Sequence, residues 1–312
     1  MILAIDVGGT KMAAGLVSDD GTVAGSRRVA TPQGAGAEEL WKTLLALVEP
    51  FGPADAVGIG CGGPMLWPSG EVSPLNMPGW RGFPLRARLE AMYGEARIHN
   101  DAVCVAAAEH WRGAGQGSAN MLGMVVSTGV GGGLVLGNRL IDGGTGNAGH
   151  IGHVVVEPDG PPCGCGGRGC LEAVARGPAL VEWALAQGWK PGAAAPSRDA
   201  VPYEEDRAVT GRTLADDARA GDEVALAAFR RAGRALGLAI TAATHLCDLD
   251  VVTIGGGLSQ AGSLLFDPLH ETLREHARME FARRVKVVPA ALGQDAGLVG
   301  AAALILAADR YA

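Results

Sequence analysis

Three cysteines stand within eight residues, in Cys163-Gly164-Cys165-Gly166-Gly167-Arg168-Gly169-Cys170, and His153 lies ten residues upstream of the first. Thiolates and an imidazole are the ligands of four-coordinate tetrahedral zinc, and the interspersed glycines let a chain wrap around an ion. Four protein ligands leave no open coordination position. The metal predicted here is therefore structural, and any chemistry must come from elsewhere. Free buried cysteines are the competing reading, but such residues rarely cluster among four glycines.

Two glycine-rich turns offer that chemistry: Asp6-Val7-Gly8-Gly9-Thr10-Lys11, and Ser127-Thr128-Gly129-Val130-Gly131-Gly132-Gly133. Glycine N–H groups let a phosphate approach closely and a threonine hydroxyl adds a donor, so Gly8, Gly9, Thr10, Thr128, Gly129 and Gly131 could clamp a nucleotide, with Asp6 holding hydrated magnesium. Either turn alone reads equally well as a plain hairpin. Their recurrence in equivalent places favours phosphate binding. Neither is a P-loop, because each leads from strand to strand and not from strand to helix. Asn100-Asp101 is the third candidate: it follows a strand-like stretch, Ala96 to His99, and precedes a helical run that begins near Val103. A carboxylate at such a junction can accept a hydroxyl proton, and it can equally be a helix N-cap.

The elements that must carry these residues follow from periodicity. Ile2 to Asp6, Met12 to Val17 and Thr22 to Ala30 read as a three-stranded meander, broken at Gly8-Gly9 and at Asp19-Asp20-Gly21. Glu38 to Glu49 carries Leu40, Leu44, Leu45 and Val48 at helical spacing, and Ala56 to Gly60 reads as the next strand. A similar order returns later. Met121 to Ser127 and Gly133 to Leu136 flank the second turn, a long helix runs from about Asp222 to Leu246, and Val251 to Ile254 is a strand ending in Gly255-Gly256-Gly257. The chain therefore reads as two related halves with two facing phosphate-binding hairpins. Gly188 to Asp206 lacks periodicity and reads as a surface loop. Ala296 to Ala308 reads as a largely buried helix returning to the first half.

The 312 residues leave room for two lobes with separate cores and a cleft. With 48% hydrophobic and 19% charged residues, the composition is that of an ordinary globular protein. The formal net charge of −7 offers no basic face, which argues against a nucleic-acid partner. No apolar run is long enough for a membrane span, and Ile2 to Val7 is too short for a secretory signal. A cytoplasmic protein is expected.

Together, Asp6 to Lys11, Asn76-Met77-Pro78-Gly79-Trp80, Asn100-Asp101, the Ser127 to Gly133 turn, Gly152-His153 with Cys163 to Cys170, Leu171-Glu172 and Gly255 to Gly257 resemble the ROK family of bacterial sugar kinases and repressors. The resemblance runs over nearly the whole chain, and the cysteine cluster with its upstream Gly-His is its most specific part. It implies an α/β actin-like ATPase (ribonuclease H-like) fold with mixed sheets in two lobes. These would be a small lobe over residues 1–117, to which the helix at 296–312 returns, and a large lobe over 118–295 with the zinc loop. It also implies an ATP- and magnesium-dependent kinase for the 6-hydroxyl of glucose, in a family that often forms dimers or tetramers.

The resemblance assigns roles to matching positions. Asp101 would be the general base. Asn100 would bind the neighbouring hydroxyl, with Gly63 and Asn76 on the far side of the ring. His153 would ligate zinc with one nitrogen and reach the sugar with the other, and Glu172 would bind hydroxyls near the anomeric carbon. Phosphates would lie between the turns of Thr10, with its neighbour Lys11, and Thr128, and Gly255 to Gly257 would pass under the adenosine.

One position departs from the pattern. Kinases of this family carry glutamate two residues before Gly-His, and here that place is His150. Imidazole removes a charge and offers fewer acceptor sites, so the alternative substrates are amino or N-acetylated hexoses such as N-acetylmannosamine, N-acetylglucosamine or kanosamine. A repressor would need an N-terminal DNA-binding domain, whereas the first strand starts at Ile2. A non-catalytic sugar sensor would lack the base or the phosphate turns. His99, His110, His245, His270 and His276 have no partner that sequence identifies, and none receives a role.

Overall fold

The computed structural model describes residues 1–194 and 209–311; most of the loop expected between Gly188 and Asp206, from residue 195 onward, lies outside them. The described residues form two compact units. The first comprises Met1–Met124, Gly132–His150 and Ala290–Ala312, and the second Val125–Gly131 and Ile151–Pro289.

Along the chain the first unit opens with β1 (Ile2–Val7), β2 (Lys11–Val17) and β3 (Val23–Ala30), then α1 (Ala37–Val48) and β4 (Ala56–Cys61). A small hairpin of β5 (Met65–Leu66) and β6 (Glu71–Val72) precedes α2 (Leu85–Tyr93), β7 (Glu95–Asn100) and α3 (Asp101–Arg112). The sheet order is β3-β2-β1-β4-β7, antiparallel among the first three strands and parallel from β1 through β4 to β7. β1 shows why its sequence is almost wholly apolar: Leu3, Ile5 and Val7 face Leu40 and Leu44 of α1, while Ile2 and Ala4 face Leu298, Ala301 and Ala302. Side chains alternate across a strand, so a sheet covered on both faces needs apolar residues at every position.

The remaining elements are β8 (Met121–Val126), β9 (Val130–Leu136), β10 (Arg139–Leu140), α4 (Leu171–Ala175), α5 (Gly177–Ala186), α6 (Gly211–Arg219), α7 (Glu223–Cys247), β11 (Val251–Gly255), α8 (Ser263–His276), β12 (Lys286–Pro289), α9 (Ala296–Leu306) and α10 (Ala308–Tyr311). The second sheet runs β10-β9-β8-β11-β12, with β11 and β12 parallel. The strand order of the first sheet is thus repeated: three meander strands, then two strands reached by crossovers. Asp222 caps α7 by accepting the N–H of Ala225 at 2.8 Å, as its residue type favours.

The expected turn from Ser127 to Gly133 is shorter than its glycines suggest. Val130 already begins β9, so Gly131, Gly132 and Gly133 lie in a strand, and the Ser127 N–H closes the turn on the Gly129 carbonyl at 2.8 Å. Helix α9, near the end of the chain, is buried along most of its length and packs on α3, β1 and β4. Glu109, fully buried near the end of α3, ties down the segment leading into α9: its carboxylate accepts the N–H groups of Ala114, Ala291 and Leu292 at 2.8 to 3.0 Å. His110 is likewise buried, between the Tyr311 hydroxyl at 2.6 Å and the Ser118 carbonyl at 2.9 Å. No described helix is long and apolar enough to cross a membrane.

Candidate active site

In the first unit the β1–β2 turn is held from one side. Thr31 donates its hydroxyl to the Gly8 carbonyl at 2.7 Å, and Gln33 donates its amide to the Gly9 carbonyl at 2.9 Å. Because a trans peptide sets its N–H opposite its C=O, the N–H groups of Gly9 and Thr10 point the other way, as a phosphate-binding turn requires. Thr31 and Gln33 went unnoticed in the sequence, since nothing local marks them. Asn76 is delivered to the same turn by Trp80, which is fully buried, stacks on Phe83 at 4.5 Å and donates to the Ala37 carbonyl. A Cβ on Gly9 would stand 2.5 Å from that of Asn76, so only glycine allows this approach.

Asp101 opens α3 where β7 ends. Asn100 caps the helix through Oδ1, which accepts the Ala102 N–H at 3.0 Å, and Asp101 Oδ1 accepts the same N–H at 2.8 Å. The cap and the candidate base are thus adjacent residues, and the N-cap alternative falls to Asn100. Around them lie Gly63, whose Cβ position is 3.1 Å from Asn100 Nδ2 and 3.9 Å from His150 Nε2, and Gly62, equally near Asp101 Oδ2. His150 donates from Nδ1 to the Asn147 carbonyl at 2.9 Å, which directs its Nε2 edge toward this group.

The electrostatics mark the same place. Burial raises the Asp101 carboxyl above its ordinary range, against a lowering by the Ala102 N–H and by His150. Asp6 is pushed up to about 7, first by burial and then by the Asp101 carboxylate, with Lys11 and Arg28 opposing. The Asp101 carboxylate thus raises the cost of charging Asp6, a cost that a bound divalent cation would lower.

In the second unit, Glu172 sits at the start of α4 and accepts the Val130 N–H through Oε2 at 3.0 Å, directly after the Thr128-Gly129 turn. The Gly177 N–H grips the Ser127 carbonyl at 2.8 Å. Gly255 ends β11, and Gly256, at φ 90°, packs against the Val126 peptide where any side chain would collide with backbone.

The ligand atoms of His153, Cys163, Cys165 and Cys170 all lie within 4.8 Å of one another. His153 Nδ1 is 3.7 Å from Cys163 Sγ, and the Cys165 and Cys170 sulfurs are 3.8 Å apart. A tetrahedron with zinc–sulfur bonds of about 2.3 Å has edges of about 3.8 Å, so the residues fit zinc. His153 uses Nδ1 here, so its Nε2 edge turns away from the thiols. Burial, then the neighbouring thiols, push Cys170 up to about 12, a cost that a bound cation removes. The loop is anchored by Glu157, which forms a two-point ion pair with Arg231 of α7 at 2.9 and 2.6 Å.

The family model described as "ROK family" matches residues 2–308. A glucokinase of Thermotoga maritima is 36% identical, with 97% of this chain and 96% of that protein covered. An N-acetylmannosamine kinase of Yersinia pseudotuberculosis is 34% identical over 96% of both. Among solved structures, a ROK family glucokinase from Streptomyces griseus, in complex with glucose and AMPPNP, superposes with a TM-score of 0.82 at 36% identity, covering 97% of this chain and 98% of that one. The repeated sheet topology is that of the actin-like ATPase fold shared by these ROK sugar kinases. On the match of its whole length, this chain belongs to the ROK family.

Proposed function

We propose that this protein is a cytoplasmic ATP-dependent hexose kinase that transfers the γ-phosphate of ATP to the 6-hydroxyl of glucose. The observation that carries the reading is the Asp101 carboxylate, set by burial to an elevated affinity for protons and surrounded by Asn100, Gly63 and His150. Phosphoryl transfer asks a protein chiefly for positioning and charge neutralisation, with a carboxylate taking the nucleophile's proton. Asp101 accepts the proton of the 6-hydroxyl as its oxygen bonds to the γ-phosphorus. The bond from that phosphorus to the β,γ-bridging oxygen breaks, and ADP leaves. The N–H groups of Gly9 and Thr10, with Lys11, and the turn at Thr128 and Gly129, with Gly131 of β9 beside it, hold the phosphates, and Gly255 to Gly257 underlie the adenosine.

Asn100, Gly63 and Asn76 contact the sugar. Glu172 meets the hydroxyls near the anomeric carbon through Oε1, since Oε2 is engaged by Val130. Asp6 would hold magnesium, which would supply charge neutralisation for the phosphates. His153, Cys163, Cys165 and Cys170 would hold zinc, which would supply rigidity to the loop bearing His153 and Glu172. The glucokinases of Thermotoga maritima and Streptomyces support glucose as the substrate. His150 and the Yersinia N-acetylmannosamine kinase favour the second reading, an amino or N-acetylated hexose.

Phosphorylation of a panel of hexoses, amino sugars and N-acetylated sugars, followed as ADP release with ATP and as sugar phosphate with polyphosphate as donor, tests the reading. Hexose-dependent turnover yielding the 6-phosphate by NMR supports it. No sugar-dependent ADP release from folded, metal-loaded protein overturns it.

A further inference from the structure

His99 is an imidazole with 1% exposure at the end of β7, immediately before the Asn100-Asp101 junction. A buried polar ring is costly unless its nitrogens are partnered, and both are. Nδ1 accepts the N–H of Asn100 at 2.8 Å, and Nε2 lies 3.0 Å from Asp142 Oδ1. Since a backbone N–H donates to Nδ1, the ring proton resides on Nε2 and is donated to the Asp142 carboxylate. The Trp67 ring lies 5.5 Å from the imidazole and covers it.

β7 is an edge strand, bonded to β4 on one side only. N–H groups on its outer side have no strand partner, and the His99 ring supplies one for Asn100. That bond fixes the peptide plane between His99 and Asn100, and rotation of this plane would swing both the capping amide of Asn100 and the carboxylate of Asp101. Asp142 also opens the segment that ends at His150, whose Nδ1 is held by the Asn147 carbonyl. One carboxylate therefore links the strand end bearing Asn100 and Asp101 to the segment bearing His150.

We propose that His99 and Asp142 are a positioning pair that sets the Asn100-Asp101 junction for phosphoryl transfer. The inference rests on the hexose-kinase reading for its kinetic readout, while its hydrogen-bond geometry stands apart from it. Four single variants of the full-length, metal-loaded protein test it. His99→Asn keeps an acceptor at the position of Nδ1, and His99→Gln does not. Asp142→Asn keeps an acceptor for the Nε2 proton, and Asp142→Ala does not.

Displacement of a catalytic group by about 1 Å costs up to roughly 100-fold, so His99→Gln and Asp142→Ala should lose about 10- to 100-fold in kcat. They should also raise the KM for the sugar and leave that for ATP within about twofold, and the two asparagine variants should recover most of the loss. Amide hydrogen exchange at Asn100 should be slow in the parent and in His99→Asn, and faster in His99→Gln. Equal losses in all four variants with a lowered unfolding midpoint and an unmoved sugar KM would overturn the proposal, leaving His99 as packing. Unchanged exchange in His99→Gln would overturn it as well. A parent without hexose-dependent turnover defeats the kinase reading alone, and the exchange measurement still decides this one.

Discussion

Glu172 and Val130 are joined by a hydrogen bond of 3.0 Å, from the backbone N–H of one to Oε2 of the other. The carboxylate assigned to the sugar is therefore also a brace for the Thr128-Gly129 turn. Glu172→Ala should raise the KM for ATP as well as that for the sugar. A hydrogen bond to a charged group contributes about 1.5 to 3 kcal/mol, or roughly 10- to 150-fold. Glu172→Gln keeps an acceptor for Val130 and should spare the ATP KM. Steady-state kinetics in both substrates separate the two effects.

Asp101→Asn should lower kcat by at least ~100-fold while changing the sugar KM far less, because the amide keeps the shape but cannot take the proton. Burial raises the Asp101 carboxyl above 3.8, and the base must be ionised to act. The acid limb of the parent's kcat profile should thus lie at higher pH than an ordinary carboxylate would place it, with activity falling as pH drops through that limb. In the residual activity of the variant, that limb should be missing.

His150→Glu, restoring the residue usual in the family, should shift the ratio of kcat/KM values for glucose and N-acetylmannosamine by about tenfold or more, the equivalent of 1.4 kcal/mol. Zinc content should stay the same, because all four ligands remain. Competition assays with both sugars would show it, and preservation of the parent's ratio within about twofold would make His150 a bystander.

Metal analysis should find about one zinc per chain. Cys165→Ser, or prolonged chelation, should lower zinc content and the unfolding temperature together and raise the KM for the sugar, since His153 and Glu172 lose their support. Active protein without zinc would contradict this.

Asp6 carries the reverse of the usual carboxylate linkage. Its pKa is about 7 in the folded chain against 3.8 unfolded, so between those values the folded state holds a proton that the unfolded state releases. Its contribution to stability is complete below the unfolded pKa and is lost as pH rises to about 7, by no more than ~4 kcal/mol before solvent screening. Asp6→Asn should flatten this part of the stability profile and make the substrate-free protein more stable at pH 8, while weakening the response to magnesium and ATP. Chemical denaturation at pH 5 and pH 8 measures both.

The features legible in the sequence were those whose partners are near in the chain. The four residues that could hold a metal span His153 to Cys170, the first turn is closed between Gly8 and Lys11, and Asn100 caps the helix that Asp101 begins. Glycine spacing, ligand chemistry and capping act over a few residues, so residue types and intervals determined them directly. Where the second turn ends was not legible, because Val130 can continue a turn or start a strand, and pairing decides.

Other partners are distant in sequence. Thr31 and Gln33 reach back to Gly8 and Gly9, Asp142 meets His99 across 43 positions, and Leu292 meets Glu109 across 183. Each of these side chains fits many surface or helix roles when read alone. Only tertiary packing brings such remote groups within hydrogen-bond distance, and where it buries one of them, as at Glu109 and His99, exclusion of water makes the pairing obligatory.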